Sequence, residues 1–495
     1  MWIYCVAVRS PTSVGWRVLR ALRTARPRVI LAVGWLYLIL YAYPGQMTTD
    51  TFDHLSESRA GIYTDGHPPA LNVLWKLCEY LIAGPFGVLV VQSLAFLLGL
   101  YAVMRRTFSP RGAAWAATAL FLYPPIMMPF AVVWKDSLMA GFLMLGVGGL
   151  LDDRRSRRLA GLAALFLASA FRYNAFGATL PLVVFLFELR PGLHWLKRYA
   201  ISLTAWLAIT FAAFTVNARL TDTPMHFWHS SLAVYDIVGT LSYVDRDLPD
   251  AELEQLFAGT DLQVHHDIHA TIRTLFDPRD FMPIVTDEKL ALWHLPVYGQ
   301  TPAPEAQRDA IGRAWKEILT TYPGAYVEYR LAVMAEVLSL TRPKPSGVVQ
   351  RRQLQRPEFA YSQAVPTGWS KLQNRLTYWM STLWKVLPIY VPWLYVVLAL
   401  ILLPLTRKHR DVFALLASGL VIESSLLVLA PSPDYRYSHW TVICTCIAIV
   451  TLVARRARGS RGQPSAVVAG GGEHPALGGV AGERPVDPGA PGLVA

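Results

Sequence analysis

The sequence predicts a polytopic all-α membrane protein, and three observations carry that expectation. The 495 residues are 53% hydrophobic and only 16% charged, with a mean hydropathy of +0.33, whereas an average soluble chain carries about a quarter charged residues. Apolar windows of span length recur along the chain. The loops between those windows alternate in charge. A formal charge of +12 would suit a nucleic-acid binder only if the cations gathered on a soluble face. Here they punctuate apolar segments, so no nucleic-acid partner is expected. The same composition excludes disordered, collagenous and coiled-coil chains.

A membrane helix needs about 20 mostly apolar residues. On that measure the chain offers about ten spans, at 28–43, 86–104, 113–133, 137–151, 158–171, 174–189, 199–216, 384–405, 412–430 and 437–453. The first follows Arg17, Arg20, Arg23, Arg26 and Arg28 without a small-residue cleavage site, which predicts an uncleaved span. Basic loops face the cytoplasm. Arg105, Arg106 and Arg111 follow the second span, and Arg154, Arg155, Arg157 and Arg158 follow the fourth. Arg190, Lys197 and Arg198 follow the sixth, Arg407, Lys408 and Arg410 the eighth, and Arg455, Arg456, Arg458 and Arg461 the tenth. This alternation predicts a multi-pass protein of the cytoplasmic (inner) membrane with both termini inside.

Four regions follow. Residues 1–216 form an N-terminal transmembrane region whose first outer loop is 44–85. Residues 217–383 form an extracytoplasmic insertion, mixed and mainly helical. Residues 384–454 form a C-terminal transmembrane region. Residues 455–495, rich in Gly, Pro, Ala and Val, read as a disordered cytoplasmic tail.

With that topology, polar chemistry gathers on the outer face. The first outer loop carries Asp50 and Asp53, then His67-Pro68-Pro69; the second is Trp134-Lys135-Asp136-Ser137. The third is Phe171-Arg172-Tyr173-Asn174, and the last runs Asp434-Tyr435-Arg436-Tyr437-Ser438-His439. Ionisable groups at a membrane boundary are costly and mark function. Carboxylates, a histidine and three cations together suit acid–base chemistry on an anionic lipid substrate. Asp50 reads either as a base or as a helix N-cap. Asp53, one turn on, shares its face as a second site carboxylate or as solvated surface. Arg172 and Arg436 lie on the side that disfavours cations, which suits phosphate recognition; snorkelling to headgroups is the alternative.

Other signals are silent. Cys5, Cys78, Cys444 and Cys446 lack metal-ligand spacing, and His265, His266 and His269 match no zinc pattern. The segment His226-Phe227-Trp228-His229 reads as interfacial belt or packing. Walker, dinucleotide and GxSxG motifs are absent, so no cofactor is expected, and a divalent cation has no support.

The span followed by Tyr43-Pro44-Gly45, Asp50 and His67-Pro68-Pro69, with Trp134-Lys135-Asp136 and Asp434-Tyr435-Arg436-Tyr437, resembles the GT-C superfamily of membrane glycosyltransferases. The protein mannosyltransferase and aminoarabinose transferase branches are the nearest analogues. The resemblance covers residues 28–454 and implies a GT-C-like fold and a polyprenyl-phosphate sugar donor. It implies Asp50 as the base in an inverting transfer, Lys135, Arg172 and Arg436 on the leaving phosphate, and His67 and Asp136 positioning donor or acceptor. Asn174, Tyr435 and Tyr437 join these as candidate substrate contacts. Many relatives carry an acidic dipeptide after the first span, whereas Asp50 here stands between Thr49 and Thr51. That departure leaves Asp50 and Asp53 both open as base. The acceptor is not indicated. The rival readings are a transporter or flippase of lipid-linked saccharides and an oligosaccharide polymerase or ligase; no internal repeat of the transporter kind is present.

Overall fold

A computed structural model describes residues 24–190, 192–226, 228–262, 267–280, 304–341 and 370–459. His265, His266, Cys5, Arg17, Arg20, Arg23 and the tail beyond residue 459 lie outside the described residues. Residues up to Arg455 form one compact unit; of the remainder only the last turn of a helix is described.

Among the described residues every named element is helical, and only isolated β-bridges occur. In chain order they begin with α1 (Pro27–Ala42), α2 (Thr49–Ala60), α3 (Pro69–Glu79), α4 (Phe86–Arg105), α5 (Pro110–Phe121) and α6 (Pro124–Phe130). Then follow α7 (Lys135–Leu150), α8 (Arg155–Phe171), α9 (Ala175–Leu186) and α10 (Trp195–Leu220). A π-helical turn (Trp228–Leu232) leads into α11 (Ala233–Ser242), α12 (Asp250–Leu256), α13 (Ile268–Leu275), α14 (Glu305–Thr321) and α15 (Pro323–Val337). The chain closes with α16 (Lys371–Val386), α17 (Pro392–Leu405), α18 (Arg410–Leu429) and α19 (Tyr435–Gly459). The insertion is thus helical in all its described elements, and α10 carries on four residues past the boundary expected at 216.

The span count differs from the sequence expectation. Helices α4, α10, α18 and α19 are long and apolar enough to cross a membrane, and α5 with α6 makes a fifth if that pair, bent by 72°, is one span. Helices α1, α9 and α17 are apolar but shorter. Helix occupies each of the ten windows, yet a count of about ten crossings does not follow. Hydropathy windows register composition. They do not register where proline ends a helix, as Pro124 and Pro125 do between α5 and α6.

One large apolar core joins α1 and α4–α9 to α17–α19, with Leu38, Phe96, Phe121, Met144 and Ile443 wholly enclosed. Small residues set its closest contacts, as in membrane helix pairs. A Cβ added at Gly99 of α4 would lie 2.4 Å from the backbone of Met144 and Leu145 in α7, and one at Gly161 of α8 would lie 2.7 Å from the backbone nitrogen of Leu150. The insertion has its own core, around Ile237, Val238, Leu253, Ile272 and Ile318. Within it His269 is buried, its Nδ1 accepting from the Leu248 amide at 3.3 Å and its Nε2 lying 2.9 Å from the Leu241 carbonyl. Both ring nitrogens are therefore spent on backbone. Arg330 of α15 ties the insertion to the segment before α19. It pairs with buried Asp236, and its Nη1 donates to the Ala430 carbonyl at 3.0 Å.

Candidate active site

The recess is assembled from two loops pinned to each other. The Gln46 amide donates to the Ala131 carbonyl and the Val133 amide donates to the Gln46 carbonyl, both at 3.0 Å. Buried Gln92 of α4 clamps the same stretch, donating to the carbonyls of Phe130 and Val132 at 3.0 and 2.8 Å. Helix α2 then starts under Thr48, whose amide donates to Thr51 Oγ1 at 2.8 Å, while Trp134 Nε1 donates to Thr48 Oγ1 at 3.0 Å. Thr48 is the N-cap. That removes the N-cap reading of Asp50 and leaves its carboxylate free to face the last helix.

Arg436, at the start of α19, meets it there. Its Nη1 donates to Asp50 Oδ2 at 2.7 Å, and its Nε lies 3.0 Å from Asp434. The guanidinium stacks over Trp134 at 5.1 Å and over Tyr437 at 5.4 Å. Arg172, between α8 and α9, reaches the Tyr437 ring at 5.5 Å, donates through Nε to Asn174 Oδ1 at 2.6 Å, and pairs with the fully buried Asp136. Lys135 donates to His67 Nδ1 at 2.9 Å. Asp50, His67, Lys135, Asp136, Arg172, Asn174, Arg436 and Tyr437 therefore converge. Asp53 follows one turn on, half-buried and near enough to Lys135 to act on it electrostatically. Tyr435 does not join them: it is enclosed in the core, and its hydroxyl donates to the Pro125 carbonyl at 3.0 Å. It anchors α19 instead of lining the recess.

Sequence reading missed a second layer. His54 is buried with its ring 4.4 Å from that of His67. Its Nδ1 lies 2.6 Å from Asn72 Oδ1, and Asn72 Nδ2 donates to Glu57 at 2.5 Å. With the Asn72 amide given to Glu57, its oxygen accepts from the Nδ1–H of His54, which fixes that tautomer. A signal for this layer was present: Asp50, Asp53, His54 and Glu57 recur at helical spacing and form one polar stripe on α2.

The electrostatics are uneven. Asp50 keeps a third of its side chain accessible to the recess. Enclosure alone would push its carboxyl up, but the Arg436 and Lys135 charges outweigh this and hold it well below the usual carboxylate range. Burial, then the Lys135 charge, pushes His67 well below the ordinary imidazole value. Burial brings His54 down to about 4. Both rings are neutral at pH 7. The recess thus holds an ionised carboxylate, two neutral imidazoles and three cations.

A cavity of about 330 Å³ leads off the cations. Lys135, Arg172 and Tyr437 line its polar end, and Phe176, Phe214, Leu426 and Leu429 line the rest. Phe176, Phe214 and Leu429 are also exposed on the outer surface of apolar helices. A neighbouring cavity of about 600 Å³ shares Tyr173, Phe214 and Leu232 with it and adds Asp65, Asn217, Trp228 and His229. Such a shape accepts an anion joined to a long apolar chain. Among the described residues, no cluster of three His, Cys, Asp or Glu side chains could hold a metal ion.

No protein-family model and no curated protein matches the chain. Among solved structures it is similar to the crystal structure of ArnT from Cupriavidus metallidurans bound to undecaprenyl phosphate. The identity is 17%, the match covers 91% of this chain and 80% of that one, and the TM-score is 0.32. A score that low supports no assignment of activity; the function rests on the site itself.

Proposed function

We propose that this protein is a GT-C-like integral membrane glycosyltransferase that moves a sugar from a polyprenyl-phosphate carrier to an acceptor hydroxyl with inversion. One observation carries the reading: Lys135, Arg172 and Tyr437 line the polar end of an otherwise apolar cavity, and the Asp50–Arg436 pair adjoins that end through the Tyr437 ring, which both guanidinium groups share. The prenyl chain occupies the apolar part. Lys135 and Arg172 receive the phosphate, Arg172 with the forked geometry that phosphate oxygens match. Asp50 takes the proton of the acceptor hydroxyl as its oxygen bonds to the anomeric carbon. The carbon–oxygen bond to the carrier breaks on the opposite face, and its electrons leave on the phosphate, where the cations balance the developing charge.

A carboxylate held far below its usual range is a weak base. The donor supplies the remedy: as its phosphate enters, Arg436 exchanges Asp50 for phosphate oxygens, and Asp50 regains ordinary basicity. His67 keeps the Lys135 ammonium oriented, and Asp136 does the same for Arg172 from below. The basic loops at the other ends of the helices support a site on the outer face of the cytoplasmic membrane.

Purified protein in detergent, given radiolabelled polyprenyl-phosphate sugars, tests this. Transfer should be lost by about 10²–10⁴-fold in Asp50→Asn, the range for removing a general base, with donor binding retained. Full transfer by that variant overturns the assignment of the base. Donor crossing vesicle membranes without any transferred sugar would favour a flippase.

A further inference from the structure

At the far end of the same helices lies a cavity unrelated to this chemistry. Helix α7 begins at Lys135 in the recess and has 16 residues; at 1.5 Å per residue its other end is about 24 Å away. There, Leu150 and Asp152 line a polar cavity of about 430 Å³ between the ends of α7, α9 and α19 and the starts of α8 and α18.

Four carboxylates line it, and each is engaged. Asp411 pairs with Arg455, Glu188 takes Arg410 at 3.2 Å and Arg198 at 3.0 Å, and Asp153 lies 3.7 Å from Arg106. Asp152 accepts from the Arg154 amide at 2.9 Å. Two lining cations remain. Lys408 is exposed, and among the described residues no side chain pairs with it. Arg158 is only 8% exposed, its Nε has no hydrogen-bond partner, and no described carboxylate forms an ion pair with it. A buried guanidinium nitrogen without a partner is unfavourable, so the described residues leave Arg158 calling for an anion. Arg158 also stands in the first turn of α8, a 17-residue helix that has no acidic residue in that turn and no side-chain cap. The positive end of the helix therefore adds to its charge.

We propose that this cavity is a second site, on the membrane face opposite the recess, that binds a phosphate group through Arg158 with Lys408 at its mouth. The guanidinium fork suits phosphate oxygens, and basic pockets between membrane helices take anionic headgroups. An acidic phospholipid and free phosphate both supply that group.

Native mass spectrometry of the full chain, delipidated in detergent, separates them. The probes are dioleoyl-phosphatidylglycerol, dioleoyl-phosphatidylcholine and inorganic phosphate. Tighter retention of phosphatidylglycerol than of phosphatidylcholine, weakened about tenfold in Arg158→Gln, supports the site with a lipid ligand. Binding of inorganic phosphate that Arg158→Gln loses, without a preference for phosphatidylglycerol, supports it with a free ion. Thermal melts verify that the variants fold. Should Arg158→Gln fail to fold, Lys408→Ala at its exposed position carries the test, with an expected loss of about threefold. Wild-type affinity for every probe in the folded variants overturns the proposal, as does failure of the wild type to bind either phosphatidylglycerol or phosphate.

Discussion

Asp50 and Arg436 are 386 positions apart in the sequence and 2.7 Å apart in space. The first polar loop and the last helix therefore close on one another through a single charge-assisted bond, and every other group of the recess is arranged around it.

Replacing Arg436 with Gln removes that bond and lets the Asp50 carboxyl rise from its depressed range, with enclosure pushing it up and mainly the Lys135 charge still opposing. Transfer should fall by about 10²–10³-fold, the loss expected when one preorganised charge is taken from a developing anion. An acid limb should then appear in kcat/KM as the carboxyl becomes able to take up a proton within the accessible acid range. The wild type should lack it, because Asp50 stays ionised there. A pH–rate profile identical in the two proteins would separate Asp50 from the chemistry.

His54 makes stability depend on pH. Its folded value is pushed down to about 4 from 6.5, so between these limits the unfolded chain binds the proton and the folded chain does not. Stability is fully present above about pH 6.5 and falls as the pH drops toward 4. At 1.36 kcal/mol per unit this amounts to roughly 3 kcal/mol, and His67 adds to it in the same direction. Thermal melts of His54→Asn should show a shallower decline over that interval. An unchanged slope contradicts the assignment.

The apolar part of the cavity should read chain length. Phe214→Ser removes one wall beside Arg172, which costs about 1–2 kcal/mol of apolar contact and raises KM about tenfold for a long-chain donor. A short-chain, water-soluble analogue should be unaffected. Equal effects on both donors would mean that Phe214 does not touch the prenyl chain.

Arg330→Met strips buried Asp236 of its cation and the Ala430 carbonyl of its donor. Leaving one buried charge alone costs about 3–5 kcal/mol, and the melting temperature should drop accordingly. Because Ala430 lies just before the segment bearing Asp434 and Arg436, activity should fall even below the melting range. Charge-neutral replacement of both partners, Arg330→Met with Asp236→Leu, should recover much of the stability.

How much of this was legible in the sequence follows from which signals are local. The cations Arg172 and Arg436 were, because the alternation of basic loops sets them apart from the other arginines of the chain. Their convergence was not: it depends on how α8 and α19 pack, and no pattern in the chain records that. Tyr435 illustrates the limit. It lies between Asp434 and Arg436, yet the helical turn aims it at Pro125 in the core. The number of crossings does not follow from the windows for a similar reason, since composition over a window is blind to helix breaks such as the 72° bend between α5 and α6. The histidine layer could have been read from the polar stripe on α2, had helical spacing been weighed above proximity to the membrane.

The separation of Asp50 from Arg436 also imposes an order in time. During synthesis the first loop leaves the ribosome long before the last helix, at about 5–20 residues per second, so Asp50 waits roughly 20 to 80 seconds for Arg436, 386 positions later. Until α19 is seated, the carboxylate lacks the Arg436 guanidinium, and the Trp134 ring lacks the cation that stacks on it. In a nascent or incompletely inserted chain the Asp50–Arg436 bond is therefore missing, and the recess is completed only with the closing helix.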